Sequence, residues 1–247
     1  MEIETQTYFI ALIILIGAYF IRGIAGFGSG LIAVPLLAHF LPLTFVVPLI
    51  LITDFVASIL LGIHVHKHAR WDEIRPLIPF GFLGVVAGAM LLINVPRTPL
   101  LIALGLLIFV FGIRSVLNLH GTHVVRRFWA VPAGLIGGTI SGLFGTGGPP
   151  YVIYLNHRIN EPAQLRGTFT GLFFLEGLWR IITFVFAGLF YDIALITTTL
   201  LALPLVALGL WLGNHAHVGL TPAQMQRVIG VLLLVSSGSL LWRAWLT

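Results

Sequence analysis

Cysteine is absent from the 247 residues, which excludes disulfides and thiolate metal centres. Charge is almost as scarce: Asp, Glu, Lys and Arg make up 9% of the chain, against 58% apolar residues. A soluble domain carries roughly 25% charged residues and is about 45–50% apolar. So few charges cannot cover a water-facing surface, and lipid is the solvent that fits. Acidic residues number only eight against 13 Lys and Arg, a formal charge of +5. The basic residues sit in short loops between apolar runs. They read as an orientation signal rather than a nucleic-acid footprint. Low-complexity stretches are missing too, and nothing alternates with the period of two that a transmembrane strand needs.

What is present is a succession of long apolar runs. A spanning helix needs about 20 apolar residues. The pattern predicts spans over 7–25, 43–63, 74–94, 99–118, 128–143, 163–187, 192–213 and 222–245. The leader of the first run carries Glu2 and Glu4 and no basic residue. That is the wrong sign for a signal peptide, so the run is read as a retained span. Two shorter apolar pieces, 31–40 and 148–157, each follow a glycine cluster and are half a bilayer long.

The chain repeats itself. Phe27-Gly28-Ser29-Gly30 matches Phe144-Gly145-Thr146-Gly147. Pro79, Gly84 and Gly88 recur with the same spacing as Pro204, Gly209 and Gly213, with Gly105 in step with Gly230. Thr98-Pro99 and Thr221-Pro222 both open the last helix of their half. An ordered series of this kind predicts one transmembrane transport domain over 1–247, built of repeats 1–120 and 121–247. The expected fold is an all-α polytopic bundle, each repeat carrying a glycine-rich break and a half-helix. Basic residues gather at Lys67, Arg70 and Arg75, at Arg126 and Arg127, and at Arg158 and Arg166. If each break lies in a hairpin of a full and a half helix, these loops fall on one, cytoplasmic side. The halves are then inverted, as in many secondary transporters. If each break lies within one crossing, the halves are parallel.

Irregular backbone at membrane depth is tolerated only where protein or a wet cavity satisfies it. A half-helix that starts there aims its free N–H groups and positive dipole end into the protein, which makes an anion site without a charged side chain. The expected substrate ligands are therefore Gly28, Ser29 and Gly30 facing Thr146, Gly147 and Gly148, with the two hydroxyls as added donors. The plain alternative is that these glycines only let helices pack closely.

Ionisable residues within spans are costly and mark function. Asp54 lies midway along the second span. Glu176 and Arg180 share a helix face at i,i+4 and can pair. These three are candidates for coupling or gating, with a structural ion pair as the alternative for Glu176 and Arg180. Arg22 before the first break and Arg166 after the second half-helix are either interfacial anchors or guanidinium ligands for an oxyanion. Trp179, unlike the other tryptophans, lies away from the span ends and is placed against the pocket. The histidine pairs and runs (His64, His66 and His68; His215 and His217) lie in turns without acidic or thiol partners, so neither a metal nor any other cofactor is expected.

Several stretches resemble the sulfite exporter TauE/SafE family of membrane permeases. They are Gly26-Phe27-Gly28-Ser29-Gly30-Leu31-Ile32-Ala33-Val34-Pro35, Gly142-Leu143-Phe144-Gly145-Thr146-Gly147-Gly148-Pro149 and Leu165-Arg166-Gly167-Thr168. The aromatic-Asp turns Trp71-Asp72 and Tyr191-Asp192 are similar as well. Thr53-Asp54 departs from the family's Gly-Thr-Ser-like stretch. The resemblance implies a transporter in a bacterial cytoplasmic membrane, moving sulfite, sulfonates or related small anions coupled to protons. The expected partners are a small anionic substrate and the bilayer, with no nucleic acid. A passive anion channel and an intramembrane serine hydrolase using Ser29 are the competing readings, the latter lacking an evident general base.

Overall fold

The computed structural model describes residues 5–25, 28–65, 68–117, 125–146, 148–216 and 222–246. Gly26, Phe27, His66, Lys67, Gly147, His217 and Thr221, all drawn into the sequence reading, lie outside them. The described residues form an all-helical protein in the order α1 (Thr5–Ala25), α2 (Ser29–Leu37), α3 (Leu43–Val65), α4 (Trp71–Ile74), α5 (Ile78–Asn94), α6 (Arg97–Val116), α7 (Ala130–Phe144), α8 (Gly148–Asn156), α9 (Pro162–Phe186), α10 (Ile193–His215) and α11 (Pro222–Leu246). A 3-10 turn, Arg127–Trp129, leads into α7.

Every predicted span corresponds to one of the long helices, and the two short apolar pieces are α2 and α8, nine residues each. Among the described residues α6, α9, α10 and the Leu43–Leu61 part of α3 are long and apolar enough to cross a membrane, and α1, α5 and α11 contain shorter apolar stretches. The third predicted span is divided. Trp71–Ile74 is a separate short helix, and α5 begins at Ile78. Pro76 lacks the backbone N–H that would continue the ladder, although Arg75 before it keeps helical dihedrals. Outward faces are apolar: Phe186, Ile193 and Val235 are exposed. Trp71, Trp129, Trp211 and Trp242 are also exposed, as interfacial aromatics are.

The major helix contacts exchange between the halves. Helix α5 packs on α7 while α10 packs on α1; α5 also meets α9 while α10 meets α3; α6 pairs with α11 and α3 with α9. The glycines that recur in sequence lie in these contacts. A Cβ on Gly84 would meet Thr139 N at 2.7 Å in α7, and one on Gly209 would meet Ile16 O at 2.7 Å in α1. Close backbone approach of this kind is what small residues permit within a bilayer. The two breaks lie inside this frame, where α1 turns into α2 and α7 turns into α8.

Candidate functional site

The breaks form by the same device. Gly28 and Gly145 both have positive φ, 98° and 69°, a region where a side chain is strained. Gly28 precedes α2 and Gly145 ends α7. The starts of α2 and α8 then converge on one cavity of about 40 Å³, between α1, α2, α3, α7, α8 and α9. Its lining includes Gly28, Ser29, Gly30, Leu31, Gly145, Thr146 and Gly148 from the breaks, with Arg22, Asp54, Ser141, Glu176 and Arg180 around them. One buried water needs about 10–15 Å³ of such space, so the cavity has room for a few heavy atoms. The breaks touch closely: a Cβ on Gly30 would stand 2.8 Å from Gly145 O.

The two helix ends differ as donors. The first four residues of α2 are Ser29, Gly30, Leu31 and Ile32, and all carry an N–H. In α8 the second and third positions are Pro149 and Pro150, so two of its four terminal donors are missing. The prolines fix φ for the first helical turn. Helix α2 is therefore the stronger anion-facing end, an asymmetry hidden by the symmetric motif.

Arg22 and Asp54 form one side of the cavity. They make an ion pair at 2.5 Å, with side-chain exposures of 3% and 17%. The Arg22 guanidinium also donates to Ser29 Oγ (3.0 Å), Ser58 Oγ (2.8 Å) and the Asp54 carbonyl (3.2 Å). Ser29 in turn donates to Asp54 Oδ1 at 2.7 Å. The Tyr19 hydroxyl lies 2.7 Å from both Asp54 Oδ1 and Thr53 Oγ1. The Ser29 hydroxyl is thus committed to the protein, and its expected role as a spare donor is not seen.

Across the cavity, Arg180 donates to Ser141 Oγ (2.8 Å) and to the Ser141 carbonyl (2.9 Å). Glu176 Oε1 lies 3.4 Å from the Tyr151 hydroxyl. The ion pairs of the described residues join Arg22 to Asp54, Arg70 and Arg127 to Asp72, and Arg127 and Arg158 to Glu73. Glu176 and Arg180 are not among them, because Arg180 is turned onto α7. Thr146 Oγ1, Glu176 Oε2, Arg180 Nε and Arg22 Nε are buried without a hydrogen-bond partner among the described residues. Buried polar atoms are seldom left so, and these four belong to residues around a single cavity.

A family model described as sulfite exporter TauE/SafE matches residues 10–240. The chain belongs to the sulfite exporter TauE/SafE family. It is 29% identical over 200 residues to the probable inner membrane transporter protein TsaS of Comamonas testosteroni, covering 80% of this chain and 83% of that protein. A probable membrane transporter protein of Haemophilus influenzae is 25% identical over 198 residues, 73% of this chain and 75% of the relative. The probable sulfite/organosulfonate exporter TauE of Cupriavidus necator is 27% identical over 110 residues, 44% and 43% of the two chains. No solved structure matches the chain.

Of the expected site residues in this TauE/SafE-family chain, Gly28, Ser29, Gly30, Thr146, Gly148, Asp54, Glu176 and Arg180 all line the cavity. Gly147 lies outside the described residues. Arg166 is not part of the lining; it donates to the Gly23 carbonyl at 2.8 Å and to Asn214 Oδ1 at 3.0 Å, tying α9 to the ends of α1 and α10. Arg22, open between anchor and ligand in the sequence, lines the cavity. Trp179 does not: its indole donates to the Phe82 carbonyl at 3.1 Å and stacks on the Phe82 ring. Sequence reasoning missed Tyr19, Ser58, Ser141 and Tyr151. A hydroxyl inside an apolar run next to a break was the available signal for Ser141 and Tyr151.

Three basic loops meet at one end of the bundle. Glu73, 1% exposed, takes bonds from Arg158 at 2.6 and 3.1 Å, while Tyr154 donates to it at 3.1 Å. Arg70 holds Asp72 at 2.7 and 2.9 Å, and Arg127 reaches Asp72 at 3.4 Å. The Arg70 bond lowers the Asp72 carboxyl below its usual value.

Proposed function

We propose that this chain is a secondary transporter of small oxyanions of the sulfite and sulfonate class, coupled to protons and working by alternating access around the cavity between α2 and α8. The observation that carries this reading is the convergence of two half-helix starts on one cavity with unpartnered buried donors, Thr146 Oγ1 and Arg180 Nε. Helix-terminal N–H groups and guanidinium forks are complementary to an oxyanion. In this reading the amides of residues 28–31, the Thr146 hydroxyl and Arg180 hold the substrate. The small cavity suits an anion of few heavy atoms. The printed names of the relatives from C. testosteroni and C. necator, an inner membrane transporter and a sulfite/organosulfonate exporter, point the same way.

The halves 1–120 and 121–247 are read as inverted repeats of one transport domain. Two observations support this: the helix contacts exchange between halves, and Arg70, Arg127 and Arg158 meet on Asp72 and Glu73. That basic end is assigned to the cytoplasmic face of a bacterial inner membrane. The test is flux in proteoliposomes: accumulation of labelled sulfite or methanesulfonate driven by a pH gradient supports a coupled transporter. Flux that only dissipates a gradient, at rates of a pore, contradicts it.

A further inference from the structure

The cavity contains two guanidinium groups, Arg22 and Arg180, and two carboxyl groups, Asp54 and Glu176. With all four ionised its formal charge is zero. An anion entering alone would leave a net negative charge in surroundings that screen poorly. The two carboxyl groups are not equivalent. Asp54 Oδ1 receives Arg22 and Ser29, with the Tyr19 hydroxyl 2.7 Å away. Glu176, 3% exposed, has the Tyr151 hydroxyl 3.4 Å from Oε1 and Ser141 and Arg180 beside it, while Oε2 has no hydrogen-bond partner among the described residues. A proton bound in the cavity needs a carboxyl oxygen whose lone pairs are not already taken, and Glu176 Oε2 offers one.

We propose that Glu176 is the proton-binding site of the transporter, and that a monoanion and one proton occupy the cavity together. The proton comes from water and forms an O–H bond at the Glu176 carboxyl. The cavity then carries one positive charge, and the arriving anion returns it to zero. Asp54 is the fixed counter-ion of Arg22. The groups facing Glu176 are consistent with this division. Arg180 on its own helix is turned to Ser141 of α7; Tyr151 of α8 is a neutral donor; Asp54 of α3 and Arg22 of α1 neutralise one another. Helix α5, also packed on α9, has no ionisable side chain. The inference rests on the anion-site reading above.

Methanesulfonate is the suitable probe, because it stays ionised over the working range and any proton taken up belongs to the protein. Its binding to the detergent-solubilised full chain is followed by calorimetry near neutral pH in Tris and in imidazole, whose ionisation enthalpies differ. The expected result is uptake of about one proton per anion bound. Glu176→Gln should bind methanesulfonate with no proton uptake and with an affinity independent of pH, while Glu176→Asp should recover the uptake. Anion binding by the wild type without proton uptake overturns the assignment and leaves the anion site standing. So does undiminished uptake in Glu176→Gln. Failure of the wild type to bind the anion overturns both readings. The wild-type proton count is decisive even if a variant does not fold.

Discussion

Arg22 at the end of α1 and Asp54 in the middle of α3 are bound to each other at 2.5 Å beside the first half-helix. The pair is held by Tyr19, Ser29 and Ser58, so three helices converge on it. Removing one partner strands the other charge. Asp54→Asn is expected to cost about 3–5 kcal/mol of stability, as loss of one member of a buried pair does. Replacing both, Arg22→Met with Asp54→Leu, should recover most of it. Thermal unfolding in detergent checks this: a single variant as stable as the wild type would contradict the pair's role.

Arg166 tests the difference between a pocket ligand and a helix tie. Its bonds run to Gly23 and Asn214. Arg166→Ala should therefore lose about 1.5–3 kcal/mol, the range for hydrogen bonds to a charged group. Its affinity for methanesulfonate should stay within about twofold of wild type, a difference well under 1 kcal/mol. A large loss of affinity in a stably folded variant would return Arg166 to the binding site.

Gly148 and Thr146 separate ligand effects from folding effects. A Cβ on Gly148 meets nothing within 4 Å, yet Gly148 lines the cavity. Gly148→Ala should keep the melting temperature and weaken anion binding by about tenfold or more, equivalent to about 1.4 kcal/mol. Thr146→Val removes a hydroxyl with no partner to lose. It should be neutral or stabilising to the fold, and should also weaken binding. Wild-type affinity in both would exclude the second break from the site.

The loop network gives a pH prediction. The Asp72 carboxyl is lowered from 3.8, first by the Arg70 hydrogen bond. A lowered carboxyl stabilises the fold above its unfolded value, and that contribution disappears as pH falls through the folded value. The difference in melting temperature between wild type and Asp72→Asn should therefore be constant from pH 7 to about 5, shrink as pH falls below the unfolded carboxyl value, and disappear once pH has passed the lowered folded value. It should be small, because both Arg70 and Asp72 are 42% exposed and the pair is screened by solvent. A gap that widens in acid would reverse the sign of this argument.

The helices were legible because each is an apolar run bounded by Pro, Gly or charge, and bilayer thickness fixes its length. The half-helices were legible because ten apolar residues after Gly-rich backbone cannot span. The partners were not. The i,i+4 spacing of Glu176 and Arg180 gives a shared face, but only tertiary packing places Ser141 where it takes the guanidinium. Ser29 read as a spare donor because nothing in sequence shows that Arg22 and Asp54 claim its hydroxyl. Arg158 read as an orientation charge, and its bond to Glu73, 85 residues away, depends on the whole bundle. The unequal donor count of the two half-helices, by contrast, was available from Pro149 and Pro150.

In the proposed mechanism an oxyanion crosses the membrane through the cavity between α2 and α8. This is tested most directly by labelled-sulfite accumulation in proteoliposomes under an imposed pH gradient, comparing wild type with Gly148→Ala at equal protein and matched stability. Gradient-driven accumulation in the wild type, reduced by about tenfold in the variant at subsaturating sulfite, is the predicted result. No accumulation above protein-free vesicles, or equal accumulation in the two, would contradict it.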